Sequence, residues 1–228
     1  MAQLFEPFDY DLGELDEPNR TVYGNTTATV VEDLNASAGK ALELTRDFGG
    51  GERGIRLDDF LVSPSGRTEV AVSVRRAEVT PVVIRSAAFS RDNRYQLFQD
   101  VLEYLTAFTT RASYTHGLDV SQYVVIRCVF HLDQDLVQAR VWPLGQAEPT
   151  VWHLDTTYDS SSDETTDHPL DLDITSTSSD HHSYIDFVGI GTDGDPAPTE
   201  PVSAGPTTPT NLTTTDITAD SFRAEWTA

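Results

Sequence analysis

The segment TEVAVSVRR, residues 68–76, shows the clearest strand pattern in the chain. Val70, Val72 and Val74 alternate with two smaller residues, which is the two-residue period of a pleated strand. The turn-forming triplet Pro-Ser-Gly at 64–66 comes shortly before it. We therefore expect a β-strand here with one apolar face.

Similar short segments recur along the chain, and turn signals such as Asp-Gln-Asp at 133–135 and Gly-Gly-Gly at 49–51 separate them. They are TVYGNTTATVVE (21–32), KALELTR (40–46), RGIRLDDF (53–60), PVVIRSAAF (81–89), YQLFQ (95–99), QYVVIRCVFHL (122–132), LVQARVW (136–142), TVWHL (150–154) and YIDFVGIG (184–191). VLEYLTAF (101–108) also fits a helical face, but its neighbours favour a strand. About a dozen short strands of this kind predict an all-β, antiparallel sandwich.

The chain combines a strong negative charge with the apolar content of a globular protein. Its 228 residues include 37 acidic and 15 basic side chains, giving a net charge of -22, and 38% are hydrophobic. Proteins that bind nucleic acid through its phosphates carry basic faces, and a membrane span needs ~20 apolar residues, far more than any run here. We expect neither nucleic-acid binding nor membrane insertion.

The type of charge predicts a saline environment. Lys40 is the only lysine, and Asp outnumbers Glu by 24 to 13. Molar salt shortens the Debye length to ~3 Å, so the repulsion between carboxylates is screened while they keep the surface hydrated. This composition resembles that of halophilic archaeal proteins; a merely acidic protein is the alternative. The single cysteine, Cys128, excludes an internal disulfide and is expected to be a buried, inert thiol.

The C-terminal third differs in composition from the rest of the chain. Residues 155–183 are mostly Asp, Ser and Thr, and the four-residue spacing of several Asp would stack like charges on a helix, so we expect a long exposed loop. The stretch 193–210 is rich in Pro and Thr and predicts an extended linker. Residues 211–228 resemble the first strands of a fibronectin type III module, with Trp226 in the place of its core tryptophan, and we expect an incomplete second β-sandwich there.

Residues 1–192 resemble a concanavalin A-like jelly roll of the laminin-G and lectin/glucanase type, as found in tail and fibre proteins of tailed viruses. The resemblance lies in RGIRLDDF, YVVIRCVF, QARVWPLGQAEPTVW and YIDFVGIGTDGDPAP. It implies an antiparallel jelly-roll β-sandwich. Glucanases of this fold use a Glu-x-Asp-x-x-Glu strand that is absent here, so we expect no enzyme activity. The nearest substitute is Asp171 and Asp173 of LDLDI, which would share one strand face opposite apolar residues.

Sugar binding needs aromatic faces and a few polar groups. Trp142, Trp152, His153 and Tyr158 lie close together in the sequence and are the candidate carbohydrate-binding residues. The alternative is that the two tryptophans fill the core.

The candidate cofactor is a structural calcium ion, which requires hard oxygen ligands. The resemblance favours Asp186 as a ligand, and the TDGD turn adds Asp193 and Asp195; a hydrated surface turn is the alternative. His181 and His182 could bind a transition metal, but adjacent residues on a strand point to opposite faces.

Together these features predict a structural and attachment protein of a halophilic archaeal tailed virus, from the tail fibre or baseplate. The expected partners are further copies of the chain, other virion proteins, and a host surface glycan or glycoprotein. No signal peptide is visible at the N-terminus, in keeping with assembly in the host cytoplasm and an extracellular virion after release. A cellular surface adhesin and, third, a glycoside hydrolase are the alternatives.

Overall fold

The computed structural model describes residues 3–24, 26–46, 54–63, 66–76, 81–86, 93–106, 109–131, 136–157, 167–174 and 181–200. Within these residues the chain forms sixteen β-strands and no helix. The strands are β1 (Gln3–Glu6), β2 (Gly13–Glu14), β3 (Arg20–Tyr23), β4 (Thr26–Glu32), β5 (Lys40–Arg46), β6 (Gly54–Val62), β7 (Thr68–Arg76), β8 (Val82–Ser86), β9 (Arg94–Leu97), β10 (Val101–Thr106), β11 (Thr109–Thr115), β12 (Val124–His131), β13 (Leu136–Pro143), β14 (Leu154–Thr157), β15 (His168–Ile174) and β16 (His181–Gly191).

The strands form two antiparallel sheets. The nine-stranded sheet has the order β14-β13-β12-β7-β16-β5-β4-β2, with β1 added beside β16. The seven-stranded sheet has the order β11-β10-β9-β8-β15-β6-β3. Most neighbours in space are not neighbours in sequence, so the connections cross between the sheets in the manner of a jelly roll. The predicted all-β antiparallel sandwich is confirmed.

The core fills the space between the sheets, and the alternation seen in the sequence generates it. Val70, Val72 and Val74 on β7 face the opposite sheet and are fully buried. Ile126 and Cys128 on β12 also face it, and neither side chain is more than 1% exposed. Burial of each such aliphatic side chain contributes ~1.5–3 kcal/mol. The expected burial of the cysteine is confirmed, and it raises the pKa of the Cys128 thiol.

The long strand β16 organises the nine-stranded sheet. It pairs with β7 along one edge and with both β5 and β1 along the other. Asp186 is an extra residue in its ladder with β7, between the pairs Ile185–Val74 and Phe187–Ser73, so it forms a β-bulge.

The first part of the predicted linker packs against β16. Ala197 is 2% exposed and lies in a small apolar cluster with Phe187. A Cβ on Gly189 would lie 3.0 Å from the carbonyl carbon of Pro198 and closer still to its oxygen, so glycine permits this approach. Residues 193–200 therefore belong to the surface of the sandwich, and an extended linker stays a prediction for 201–210. Those residues and 211–228 lie outside the described part of the chain.

Two predicted boundaries are wrong. TVWHL contributes only Leu154 to a strand, because residues 150–153 lie in the connection between β13 and β14. The exposed loop expected over 155–183 contains β15, whose Leu170 and Leu172 are fully buried. In contrast, VLEYLTAF forms β10 over Val101–Thr106, as expected. Among the described residues, no helix has the length and apolar character to cross a membrane.

Candidate functional site

The strand β15 lies inside the seven-stranded sheet, between β6 and β8. Leu170 and Leu172 belong to the core, so Asp171 and Asp173 lie on the opposite face of the sheet. The expectation that the two carboxylates share one face is confirmed. Both are buried, at 0% and 1% exposure, although they do not face the core.

Strand pairing places further polar residues beside these carboxylates, in two rows that cross the sheet. We call these two rows the polar face. The first row contains Tyr23, Gly54, Asp173, Val83, Gln96 and Glu103, and the second contains Thr21, Arg56, Asp171, Arg85 and Arg94.

Two arginines hold the two carboxylates of the polar face. Arg85 connects them, with Nη2 3.1 Å from Asp171 Oδ2 and Nε 2.9 Å from Asp173 Oδ2. Arg56 donates from Nε and Nη2 to the two oxygens of Asp171, at 2.8 and 3.2 Å. The Tyr23 hydroxyl donates to Asp173 Oδ1. The cluster sets two carboxyl groups against two guanidinium groups, and loss of any one member would leave its partner buried without that contact.

This arrangement bears on acid–base chemistry. Burial raises the pKa of Asp173 well above its usual range, and this favours the protonated form. A retaining glycosidase needs one carboxylate that attacks the sugar and a second that donates a proton. On β15 both carboxyl groups are buried and lie beside guanidinium groups.

One end of the polar face is open to solvent. Tyr23 on β3 is half-buried, and the guanidinium carbon of Arg56 lies 5.7 Å from the centroid of its ring. The Arg56 side chain is 28% exposed and uses only Nε and Nη2 for Asp171. We call the Tyr23 ring and the Arg56 guanidinium the platform. It combines an aromatic ring with a hydrogen-bond donor, the chemistry that sugar recognition needs.

The structure separates the predicted carbohydrate-binding residues. Trp142 is 5% exposed and packs with Ala71, Val125 and Phe187 on the outer side of the nine-stranded sheet, which is the core-filling alternative in a satellite cluster. Trp152 lies under Arg140, whose guanidinium carbon is 4.1 Å from the ring centroid.

His153 lies on the other side of its loop. Its ring stacks on Tyr114 of the seven-stranded sheet with centroids 4.3 Å apart, and Nδ1 accepts a hydrogen bond from Val141 N. Burial lowers the pKa of His153, and Arg140 adds to this effect. Tyr158 lies outside the described residues. A shared groove formed by the four residues stays a prediction.

An ion-pair network fixes the loop that carries Trp152. Glu148 in this loop receives Arg127 Nε at 2.6 Å and also pairs with Arg140. Arg127 in turn contacts Glu69 on β7 at 2.9 Å, and Glu69 binds Arg67 at 2.7 Å. The network bridges three strands of the outer face, and Trp152 lies on it as a packing partner of two of its arginines.

The predicted calcium ligands are not brought together. Asp186, in the β-bulge, accepts hydrogen bonds at Oδ1 from Ser37 N at 2.9 Å and Ser37 Oγ at 2.7 Å. Burial raises its pKa, an effect that outweighs the hydrogen bonds. A single carboxylate that favours the neutral form and accepts a backbone N–H does not match the six to eight oxygen ligands of calcium.

Asp193 and Asp195 lie in the turn after β16. Asp193, with φ of 57°, lines a cavity of about 280 Å³ together with Asp59, Asp167 and the apolar Leu4 and Leu61. Asp195 donates its N–H to Thr192 O at 3.0 Å. In the part of the chain that the structure describes, no group of three or more His, Cys, Asp or Glu side chains is placed to hold a metal ion. A structural calcium ion stays a prediction.

The ring of His182 contacts two side chains of β5. Its Nδ1 lies 2.9 Å from Glu43 Oε1 and 3.3 Å from Thr45 Oγ1. The paired position on β5 is Thr45 itself, so strand pairing explains this contact.

Tyr23, Arg56 and Arg85 were not predicted from the sequence as site residues. A signal was present, because each arginine stands inside an apolar alternating segment, in RGIRL and VVIRS. A charged residue at every second position of such a strand indicates a polar second face. That these strands flank β15 follows only from the topology.

No protein-family profile and no curated protein sequence matches the chain. Solved structures with the same architecture include the winged bean acidic lectin complexed with methyl-α-D-galactose, at 11% identity over 84% of this chain and 99% of that chain, with a TM-score of 0.55. A GH16 protein from a mixed-linkage glucan locus of Bacteroides ovatus matches at 10% identity over 82% and 99%, with a TM-score of 0.53. A carbohydrate esterase of a Shiga toxin-encoding bacteriophage matches at 12% identity over 77% and 90%, with a TM-score of 0.51.

The chain therefore has the jelly-roll fold of the concanavalin A-like lectins and glucanases. At these identities the likeness concerns the fold, and the chemistry has to be argued from the chain's own side chains.

Proposed function

We propose that this protein is a carbohydrate-binding attachment protein of a halophilic archaeal tailed virus, and that the polar face binds the glycan. The observation that carries the proposal is the platform of Tyr23 and Arg56 at the open end of a cluster of arginine and aspartate side chains. A pyranose ring can lie on the tyrosine while its hydroxyls accept hydrogen bonds from the guanidinium. The two hydrogen bonds to the buried Asp171 hold Arg56 in place before the ligand arrives, which reduces the entropic cost of binding.

Binding without hydrolysis is part of the proposal. Asp171 and Asp173 are both engaged by Arg85, and Asp171 also by Arg56, which supports binding without hydrolysis. The glycoside hydrolase alternative has one favourable observation, which is that the two carboxylates share a sheltered face of the sheet. Release of reducing ends from a bound glycan by the wild type, abolished in the double variant Asp171→Asn, Asp173→Asn, would establish that alternative.

Two features support the viral part of the proposal. The composition, with a net charge of -22 and a single lysine, is typical of proteins that work in molar salt. The fold also occurs in a bacteriophage protein, the carbohydrate esterase compared above. Further copies of the chain in one particle would raise the avidity of a weak sugar site without any new contact. Mass spectrometry and immunogold labelling of purified haloarchaeal virus particles test this part; absence of the chain from the particles would favour a cellular adhesin.

The glycan site is tested with the full chain on a glycan array in molar salt, followed by titration of the best ligand. We expect Tyr23→Ala to weaken binding at least about tenfold, because ring stacking contributes on the order of 1–3 kcal/mol when the face is buried. Tyr23→Phe keeps the ring and removes the hydroxyl that contacts Asp173, so it should bind nearly as well as the wild type.

The matched control is Tyr184→Ala. Tyr184 is also half-buried and also stacks on an arginine, with Arg75 4.0 Å from its centroid, but it lies on the nine-stranded sheet. It should leave glycan affinity unchanged. Equal affinity of Tyr23→Ala and wild type would exclude the platform as the site.

A further inference from the structure

The most unusual charged group in the described chain is Arg76, at the end of β7. It continues the core-facing series of Val70, Val72 and Val74, so its side chain enters the space between the two sheets. The residue is 2% exposed, and its Nε, Nη1 and Nη2 atoms are all buried without a hydrogen-bond partner. Its main chain is fixed, because Arg76 N donates to Val120 O at 2.8 Å.

A second buried donor belongs to the same loop as Val120. His116 Nδ1 accepts a hydrogen bond from Leu118 N at 3.0 Å, so in the neutral ring the proton is on Nε2. That Nε2 atom is also buried and forms no well-aligned hydrogen bond with the described residues, although the Phe98 backbone interacts with the ring. Burial lowers the pKa of His116; the Phe98 backbone and the Asp100 carboxylate oppose this effect, and the Arg76 guanidinium adds to it, with a net lowering that favours the neutral ring.

The unpaired guanidinium stands out against the rest of the molecule. Arg56, Arg85 and Arg127 each lie against carboxylates, as a chain with 37 acidic residues makes easy. No carboxylate of the described residues lies against Arg76. Burial lowers the pKa of its guanidinium to about 10, so the group is still charged at neutral pH. An uncompensated buried cation is strongly unfavourable, and a bound counter-ion would remove the penalty.

We propose that Arg76 and His116 bind a small inorganic monoanion of the chloride class at this end of the sandwich. All the unpaired groups are N–H donors, so the ligand accepts hydrogen bonds and donates none. Burial of all four nitrogens restricts it to a small species. In the saline environment that the composition predicts, chloride is present at molar concentration, and even a weak site would be filled.

The test compares thermal unfolding of the full chain in sodium chloride and in sodium gluconate at equal molar ionic strength, since gluconate is too large to enter. We expect the wild-type Tm to be about 5 °C higher in chloride, which corresponds to a site occupied well above its Kd. In Arg76→Met the difference between the two salts should vanish. The control variant Arg111→Met removes an exposed arginine on β11. It should keep the difference in Tm between the two salts.

Wild-type crystals soaked in sodium bromide give an independent measurement that needs no variant. We expect an anomalous bromide peak within hydrogen-bond distance of the Arg76 guanidinium. Absence of that peak, a carboxylate of the chain in its place, or an equal salt difference in wild type and Arg76→Met would each overturn the proposal. Arg76→Met should also be at least as stable as the wild type in gluconate, because it removes a buried charge.

Discussion

Gly54 and Asp173 face each other across the ladder between β6 and β15, and only glycine fits at the first of these positions. A Cβ on Gly54 would lie 2.8 Å from both Cα and Oδ1 of Asp173, and closer still to the carbonyl oxygen of Leu172. The close approach of the two strands brings Asp173 to the hydroxyl of Tyr23 and to Arg85. The absence of a side chain at Gly54 on β6 therefore helps to place the Asp173 carboxyl group on β15.

Gly54→Ala is therefore expected to lower the free energy of unfolding by about 2–3 kcal/mol, since the added methyl must displace backbone. The measurement is urea denaturation at constant molar salt. Gly145→Ala is the control, because a Cβ there meets no atom within 4 Å. The only unfavourable effect is the backbone strain of an alanine at a φ of +80°. It should cost about 1 kcal/mol. An equal effect of the two substitutions would show that the strands are not in close contact at Gly54.

The carboxylate of Asp33 predicts a loss of stability in acid. Burial alone would raise its pKa, but hydrogen bonds from Asn35 N, Arg75 and the Tyr123 hydroxyl outweigh this, and the pKa is lowered. The folded state therefore holds its proton less tightly than the unfolded chain. Its contribution is complete above about pH 4 and is lost as the pH falls through the folded-state pKa.

We expect Asp33→Asn to destabilise the protein by about 1–3 kcal/mol at pH 7, since it removes charge-assisted hydrogen bonds. Near pH 3 the difference from the wild type should be smaller. Unfolding curves at pH 7, 5, 4 and 3 measure this. A difference that is constant over the whole range would mean that the carboxylate is not perturbed.

Asp186 should behave in the opposite way. Burial in the β-bulge raises its pKa, so the folded state holds the proton more tightly and the contribution of this group declines as the pH rises above about 4. Asp186→Asn is expected to be neutral or slightly stabilising at pH 7. We also expect EDTA to leave the Tm of the wild type unchanged. A drop of several degrees with EDTA, together with strong destabilisation by Asp186→Asn, would instead establish the calcium site predicted from the sequence.

The two tryptophans of the region 142–152 are expected to differ in their effects on stability. Trp142 is nearly fully buried in its cluster, so Trp142→Ala should cost about 3–5 kcal/mol. Trp152 is half-buried and contacts two arginines. Trp152→Ala should therefore lower the free energy of unfolding by about 1 kcal/mol, because this stacking is lost.

Trp152→Ala should leave glycan affinity at the wild-type level, because the proposed sugar site lies on the other sheet. Unfolding curves and glycan titration on the same samples measure both quantities. If Trp152→Ala lost glycan binding while Tyr23→Ala kept it, the glycan site would instead lie at the residues predicted from the sequence.

The sequence was most informative where one property repeats locally. KALELTR forms β5 over Lys40–Arg46, and LVQARVW lies entirely within β13, because a period of two residues suffices to define a strand with one apolar face. It was least informative where two properties compete. In LDLDI the acidic composition of the surroundings favoured a loop, whereas the alternate leucines place the segment inside a sheet.

The all-β class, the apolar face of each strong strand and the strong negative net charge follow from the sequence, since each depends on neighbouring residues or on totals. The fold was needed to see that Arg56, Arg85 and Tyr23 meet the carboxyl groups of β15, that Trp152 and His153 contact different side chains, and that Arg76 has no partner among the described residues. These relationships join residues that are far apart in the chain, and strand order in a jelly roll is set by the packing of the whole sandwich. No local pattern contains that information.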